Sequence, residues 1–131
     1  MTIFQSTAII ERPVNEIYTF LSDLNNHQQL MPDSVINWTS TTDEASFNIQ
    51  NMVKLKLNVE SRTPNLEIKI VAVEKPPFDL ELKWSLSAND DNTTIVFTIT
   101  ADLNMMMKMV ASGPLQKLAD HETQSLNSLL S

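Results

Sequence analysis

Ser112-Gly113-Pro114-Leu115-Gln116-Lys117-Leu118-Ala119-Asp120-His121-Glu122-Thr123-Gln124-Ser125-Leu126-Asn127-Ser128-Leu129-Leu130-Ser131 closes the chain, and its spacing decides the fold. At about 100° per residue, Leu115, Leu118, Ala119, Leu126, Leu129 and Leu130 fall on one stripe, while Lys117, Asp120, Gln124 and Asn127 point elsewhere. The spacing predicts one helix with one buried face, starting near Ser112. Ser112 is the expected N-cap, and Gly113-Pro114 would occupy the first turn, where the N–H that proline lacks is not needed. Glu122 interrupts the stripe between Leu118 and Leu126. A carboxylate in that place needs a partner, water or a ligand.

Upstream, the period is two. Val35 to Ser40 and Ala45 to Gln50 read as a hairpin across Thr41-Thr42-Asp43-Glu44, with Phe47 and Ile49 on one face. Met52 to Arg62 sets Val53, Leu55, Leu57 and Val59 against Lys54, Lys56, Asn58 and Glu60. After Thr63-Pro64-Asn65, Leu66 to Val73 puts Leu66, Ile68, Ile70 and Ala72 on one face. Glu74-Lys75-Pro76-Pro77 is a stiff connection that cannot be strand interior. Phe78 to Ala88 directs Phe78, Leu80, Leu82, Trp84 and Leu86 inward. Across Asn89-Asp90-Asp91-Asn92, Thr93 to Leu103 does the same with Ile95, Phe97, Ile99, Ala101 and Leu103.

At the other end, Met1 to Ile10 is a further strand, and Pro13 opens a short helix carrying Val14, Ile17, Tyr18, Leu21 and Leu24 at helical spacing. A second short helical piece, about Asn26 to Met31, stops at Pro32. Hairpin-length connections force antiparallel neighbours, and strict alternation means one dry sheet face. Only the C-terminal helix is long enough to cover that face. The expected class is therefore α+β: a curved antiparallel sheet of about seven strands, two short helices after the first, and a long helix across the concave side. With 131 residues, no repeat and no low-complexity tract, one domain over 1–131 is expected.

Sixteen acidic and nine scattered basic residues give a net charge of −7, so nothing could track a phosphate backbone, and nucleic acid is not an expected partner. No apolar run approaches the roughly 20 residues of a membrane span, and Met1 to Ile10 is not a signal peptide, so a cytoplasmic protein without membrane insertion is expected. The lack of cysteine removes disulfides, thiolate metal sites and a cysteine nucleophile. A single glycine, Gly113, excludes every Gly-rich phosphate cradle. No cofactor and no metal are expected.

Ile10-Glu11-Arg12-Pro13-Val14-Asn15-Glu16-Ile17-Tyr18-Thr19-Phe20-Leu21-Ser22-Asp23, then Asn26-His27 and Met31-Pro32, resembles the opening of the START-like superfamily, also called SRPBCC. The Glu74 to Phe78 break and the element order resemble it as well. The resemblance spans essentially the whole chain and implies the helix-grip fold of the birch-pollen allergen and of polyketide cyclases. It also implies a cavity between helix and sheet for lipids, sterols, polyketides, hormones or other apolar molecules. No catalytic signature carries over. The Gly-rich loop of the plant allergen branch is absent, which places the chain nearer the bacterial, polyketide cyclase/dehydrase-like branches, and there is no His/His/Asp iron set.

Under that resemblance the expected pocket is Tyr18, Leu55, Leu57, Ile68, Leu82, Trp84, Phe97, Ile99, Leu118, Glu122 and Leu126, holding a small apolar molecule. Glu122 would bind a ligand hydroxyl or amine, or serve as a general base in a polyketide cyclase/dehydratase-like enzyme; the plainer reading is a carboxylate satisfied by a strand side chain or reaching water at the helix margin. Tyr18, and Asn51 if it faces inward, are the other polar contacts, although a tyrosine packed in the core with a satisfied hydroxyl is the plainer reading. Met105, Met106 and Met109, with Met107, suggest either a flexible gate at a pocket mouth or a core or subunit contact, the last implying a homodimer. A protein-partner module of the Hsp90-activator type would use the same methionines as an exposed patch. His27 is expected to pack at the junction of the short helices, His121 to be solvated, and Trp38 and Trp84 to anchor the core.

Overall fold

The computed structural model describes residues 1–49 and 53–130. The expected strand ends at Gln50 and Met52, the candidate contact Asn51 and the helix end at Ser131 lie outside them. In chain order the elements are β1 (Thr2–Ile10), α1 (Val14–Ser22), a 3₁₀ helix (Leu24–Leu30), β2 (Val35–Ser40), β3 (Glu44–Ile49), β4 (Val53–Thr63), β5 (Glu67–Ala72), β6 (Leu80–Asn89), β7 (Asn92–Ala101) and α2 (Met105–Leu130). The strands form one antiparallel sheet ordered β1-β7-β6-β5-β4-β3-β2. First and last strands pair, with Phe4 opposite Ile99 and Ala8 opposite Ile95.

Alternation survives folding. Leu55 and Leu57, Ile68 and Ile70, Leu82 and Trp84, and Phe97 and Ile99 are buried on the inner face. The register shifts in β2 between Ile36 and Thr39 and in β4 between Val59 and Ser61. Such bulges bend a strand and increase its twist, which curls the sheet around its dry face. With so little glycine, left-handed positions fall to Asn37, Asn65 and Asp90, residue types that tolerate them, and also to Glu74 (φ 58°) and Lys75 (φ 53°) in the stiff connection before Pro76.

Three expectations are corrected. α2 starts at Met105, not Ser112, and runs through Pro114. Its cap is Asn104, whose Oδ1 accepts the Met107 N–H at 2.8 Å, so the start signals at Ser112-Gly113-Pro114 are overridden. Pro114 cannot donate to the Val110 carbonyl, but Ala111 and Leu115 on either side of it are buried, and that burial holds the helix together. Leu66 lies in the turn before β5 and is exposed. Leu129, expected on the buried stripe, is exposed in the last turn, while Leu130 beside it packs against the core.

α2 lies chiefly on β1, then on β7 and the 3₁₀ helix, so it covers one half of the concave face. Polar contacts fix it there: Ser6 Oγ and Thr123 Oγ1 are 2.6 Å apart, Gln116 Nε2 donates to the Gln5 carbonyl at 3.1 Å, and Arg12 Nε donates to the Leu130 carbonyl at 2.6 Å. α1 packs on β5 and β6 and the 3₁₀ helix on β2 and β3, closing the other half. Among the described residues no helix is long and apolar enough to cross a membrane.

Candidate functional site

Where α2, the 3₁₀ helix and the sheet meet, a small, mostly buried cavity remains, with about 20 Å³ open to the centre of a water molecule. Its wall is Leu24, His27 and Met31 from the region of the 3₁₀ helix; Trp38, Ala45, Phe47, Leu57, Ile70, Leu82, Trp84 and Phe97 from β2 to β7; and Leu118 and Glu122 from α2. That volume has room for about one water. Trp84 stacks on Phe97 with ring centroids 4.0 Å apart, and Trp38 on Phe47 at 5.2 Å.

Two titratable groups share this apolar wall. Glu122 is 3% exposed, and among the described residues its carboxyl has no hydrogen bond or ion pair. Burial pushes it well above the usual carboxylate range, with no cation to oppose the shift, and so favours the neutral acid. His27 is equally buried, and burial lowers it from 6.5 to about 4, against the opposing pull of the Leu21 carbonyl and of Asp23. The imidazole is thus neutral near pH 7. Its Nε2–H donates to the Leu21 carbonyl at 2.8 Å, which leaves Nδ1 as the unprotonated nitrogen. The cavity wall therefore carries a carboxyl whose neutral form burial favours and, at another point, an imidazole that burial keeps neutral near pH 7. Among the described residues no cluster could hold a metal ion.

Outside the cavity a groove of about 390 Å³ runs between α2 and the β2–β3 side, lined by Pro32, Ser34, Ile49, Pro114, Lys117, Leu118, Asp120, His121 and Gln124.

No family model matches the sequence, and no curated protein matches it significantly. Solved structures do match. A START superfamily protein from Mycobacterium smegmatis superposes with a TM-score of 0.69 at 14% identity, over 98% of this chain and 96% of that one. The Aha1 dimer from Colwellia psychrerythraea gives 0.72 at 15% identity, over 99% and 96%. The di-domain ARO/CYC StfQ from the steffimycin biosynthetic pathway gives 0.76 at 9% identity, over 98% of this chain and 50% of that one. The chain has a START-like fold.

Within this START-like fold, the residues singled out from the sequence separate into groups. Leu57, Leu82, Trp84, Phe97, Leu118 and Glu122 lie on the cavity wall. Leu55, Ile68, Ile99 and Leu126 are core side chains away from it, and Tyr18 is a half-buried neighbour of the core. Met105, Met106 and Met109 are 82%, 77% and 83% exposed and line neither cavity nor groove, whereas Met107 packs against the core. His121 is exposed, yet its Nδ1–H donates to the Leu30 carbonyl at 3.0 Å and ties α2 to the 3₁₀ helix.

His27 is the wall residue that periodicity of 3.6 could not find. Its segment is a 3₁₀ helix, in which residues three apart eclipse, and Leu24, His27 and Leu30 are its buried residues. Spacing of three was the available signal.

Proposed function

We propose that the protein binds a small, mostly apolar molecule between α2 and the sheet, with Glu122 engaging its polar group. One observation carries the reading: a carboxyl buried on an apolar cavity wall, with no partner among the described residues. A buried polar group without a partner costs about 1–3 kcal/mol, which a ligand hydroxyl or carbonyl would recover. As a neutral acid Glu122 donates to a carbonyl or accepts from a hydroxyl. The wall of leucine, phenylalanine and tryptophan side chains suits an aromatic, polyketide or lipid body. At about 20 Å³ the cavity is too small for such a molecule, so binding requires the wall to move.

Native mass spectrometry of the purified protein, followed by denaturing extraction, tests this. A co-purified apolar molecule is expected. Glu122→Gln should keep most of the affinity for it, and Glu122→Leu should lose roughly 10- to 100-fold, the worth of a hydrogen bond to such a group. A protein that purifies empty and is not stabilised by any of a panel of hydroxylated aromatic or lipid molecules would sink the reading.

A second reading, a cyclase or dehydratase, is favoured by the proton donor and the proton acceptor that share one wall. It expects Glu122→Gln to abolish turnover of a polyketide-like substrate while leaving its affinity intact. A partner-binding module of the Hsp90-activator type would rest instead on the exposed Met105, Met106 and Met109.

A further inference from the structure

We propose that the groove beside α2 is the vestibule of the buried cavity, and that Leu118 is the side chain that closes one from the other. Leu118 is the residue common to the two linings, and it is itself only 7% exposed. It sits one helical turn before Glu122, so the two side chains are stacked along the same face of α2, Leu118 facing both spaces and Glu122 only the inner one. A leucine moves between staggered rotamers, and Leu118 is the side chain that borders both spaces. With Leu118 turned aside, the groove of about 390 Å³ joins the cavity, and the joint space falls within the roughly 300–1,000 Å³ usual for small-molecule sites.

Among the described residues, a second surface depression also touches the cavity wall, through Ala45. It lies across the paired backbones of β3 and β4, where Ser46 stands opposite Lys56, and no rotamer change removes a strand. The exposed methionines line neither space. The groove beside α2, away from the methionine turn, is thus the route that a side-chain rotation would open.

The vestibule also restricts the ligand, an inference that rests on the binding reading above. Among the described residues Lys117 in the groove makes no ion pair, but Asp120 lines the same groove, held by Gln116 Nε2 at 3.1 Å. The two charges cancel. The groove then suits a neutral hydrogen-bonding head, such as an amide, a hydroxyl or a sugar, with the apolar body passing Leu118 toward Glu122.

Access to Trp84 tests the gate without any ligand, so its failure is separable from failure of the binding reading. In a Trp38→Phe background Trp84 is the sole indole, and it is fully buried on the cavity wall. Acrylamide quenching should rise several-fold in Leu118→Ala; Leu118→Val, a smaller truncation, provides the same test if the alanine variant unfolds. The chain has no cysteine, so Gln124→Cys introduces a single thiol at the groove. Alkylating it with a bulky maleimide in the Leu118→Val protein should return quenching to the wild-type level. Glutamine at Met105, Met106 and Met109 together should change nothing. Unchanged quenching in a folded Leu118 variant, no effect of the plug, or Trp84 exposed by the methionine replacements would each overturn the proposal.

Discussion

His27 meets Trp84 edge-on, with ring centroids 6.1 Å apart and planes at 88°. The contact closes a chain of packed rings, since Trp84 in turn stacks on Phe97. An imidazole so enclosed must fold neutral. Between pH 4 and 6.5 the unfolded chain binds a proton there that the folded chain does not, so His27 makes stability rise with pH across that window. The span is worth about 3 kcal/mol at 1.36 kcal/mol per pH unit. In His27→Gln, which keeps an N–H for the Leu21 carbonyl, this rise should vanish. Thermal unfolding midpoints from pH 4 to 7 check it: the advantage of wild type over the variant should grow with pH and level off above 6.5.

Glu122 acts in the opposite direction. Its folded value lies well above the 4.5 of an unfolded glutamate, so above pH 4.5 the unfolded chain has lost a proton that the folded chain retains. Stability contributed by this group falls as pH rises, until the folded carboxyl itself ionises. Glu122→Gln removes the effect. Calorimetry at pH 5, 7 and 9 should show the variant gaining on wild type with pH; parallel profiles would mean that the carboxyl is ionised in the fold.

Trp84 is fully buried and stacked, so Trp84→Ala should lose about 3–5 kcal/mol. Trp84→Phe keeps a ring against Phe97 and should lose distinctly less. Urea unfolding of the two variants side by side measures the difference, and equal losses would show that Trp84 is not the packing centre.

Asn104 caps α2 through the Met107 N–H. Asn104→Ala should destabilise by about 1 kcal/mol, whereas Ser112→Ala, inside the helix, should cost no cap. Hydrogen exchange at residues 105 to 109 should speed up in the first variant alone. The reverse pattern would move the helix start back to Ser112.

Much of the architecture was legible because its signals are local. The alternation of Val53 to Val59, of Leu80 to Leu86 and of Ile95 to Ala101 needs only adjacent residues to be read, and so does the turn chemistry between them. The pairing of β1 with β7 is not local, and no spacing along the chain carries it. The start of α2 is not legible locally, because Ser112-Gly113-Pro114 is a good start signal that is outweighed by a cap at Asn104 and by burial of Ala111 and Leu115.

The amino-acid pattern alone determined the order of elements, the dry face of each strand and the anomaly of Glu122 within an apolar stripe, since each is a matter of period along the chain. Tertiary structure alone decided which inner-face side chains border the cavity and which only fill core, as it separates Leu57 and Leu82 from Leu55 and Ile68. It also brought His27 to the same wall as Glu122, although 94 positions separate them in the sequence. The reason is geometric. Periodicity reports the side of an element on which a residue lies, whereas volume and distance depend on how curved elements from distant parts of the chain close on one another.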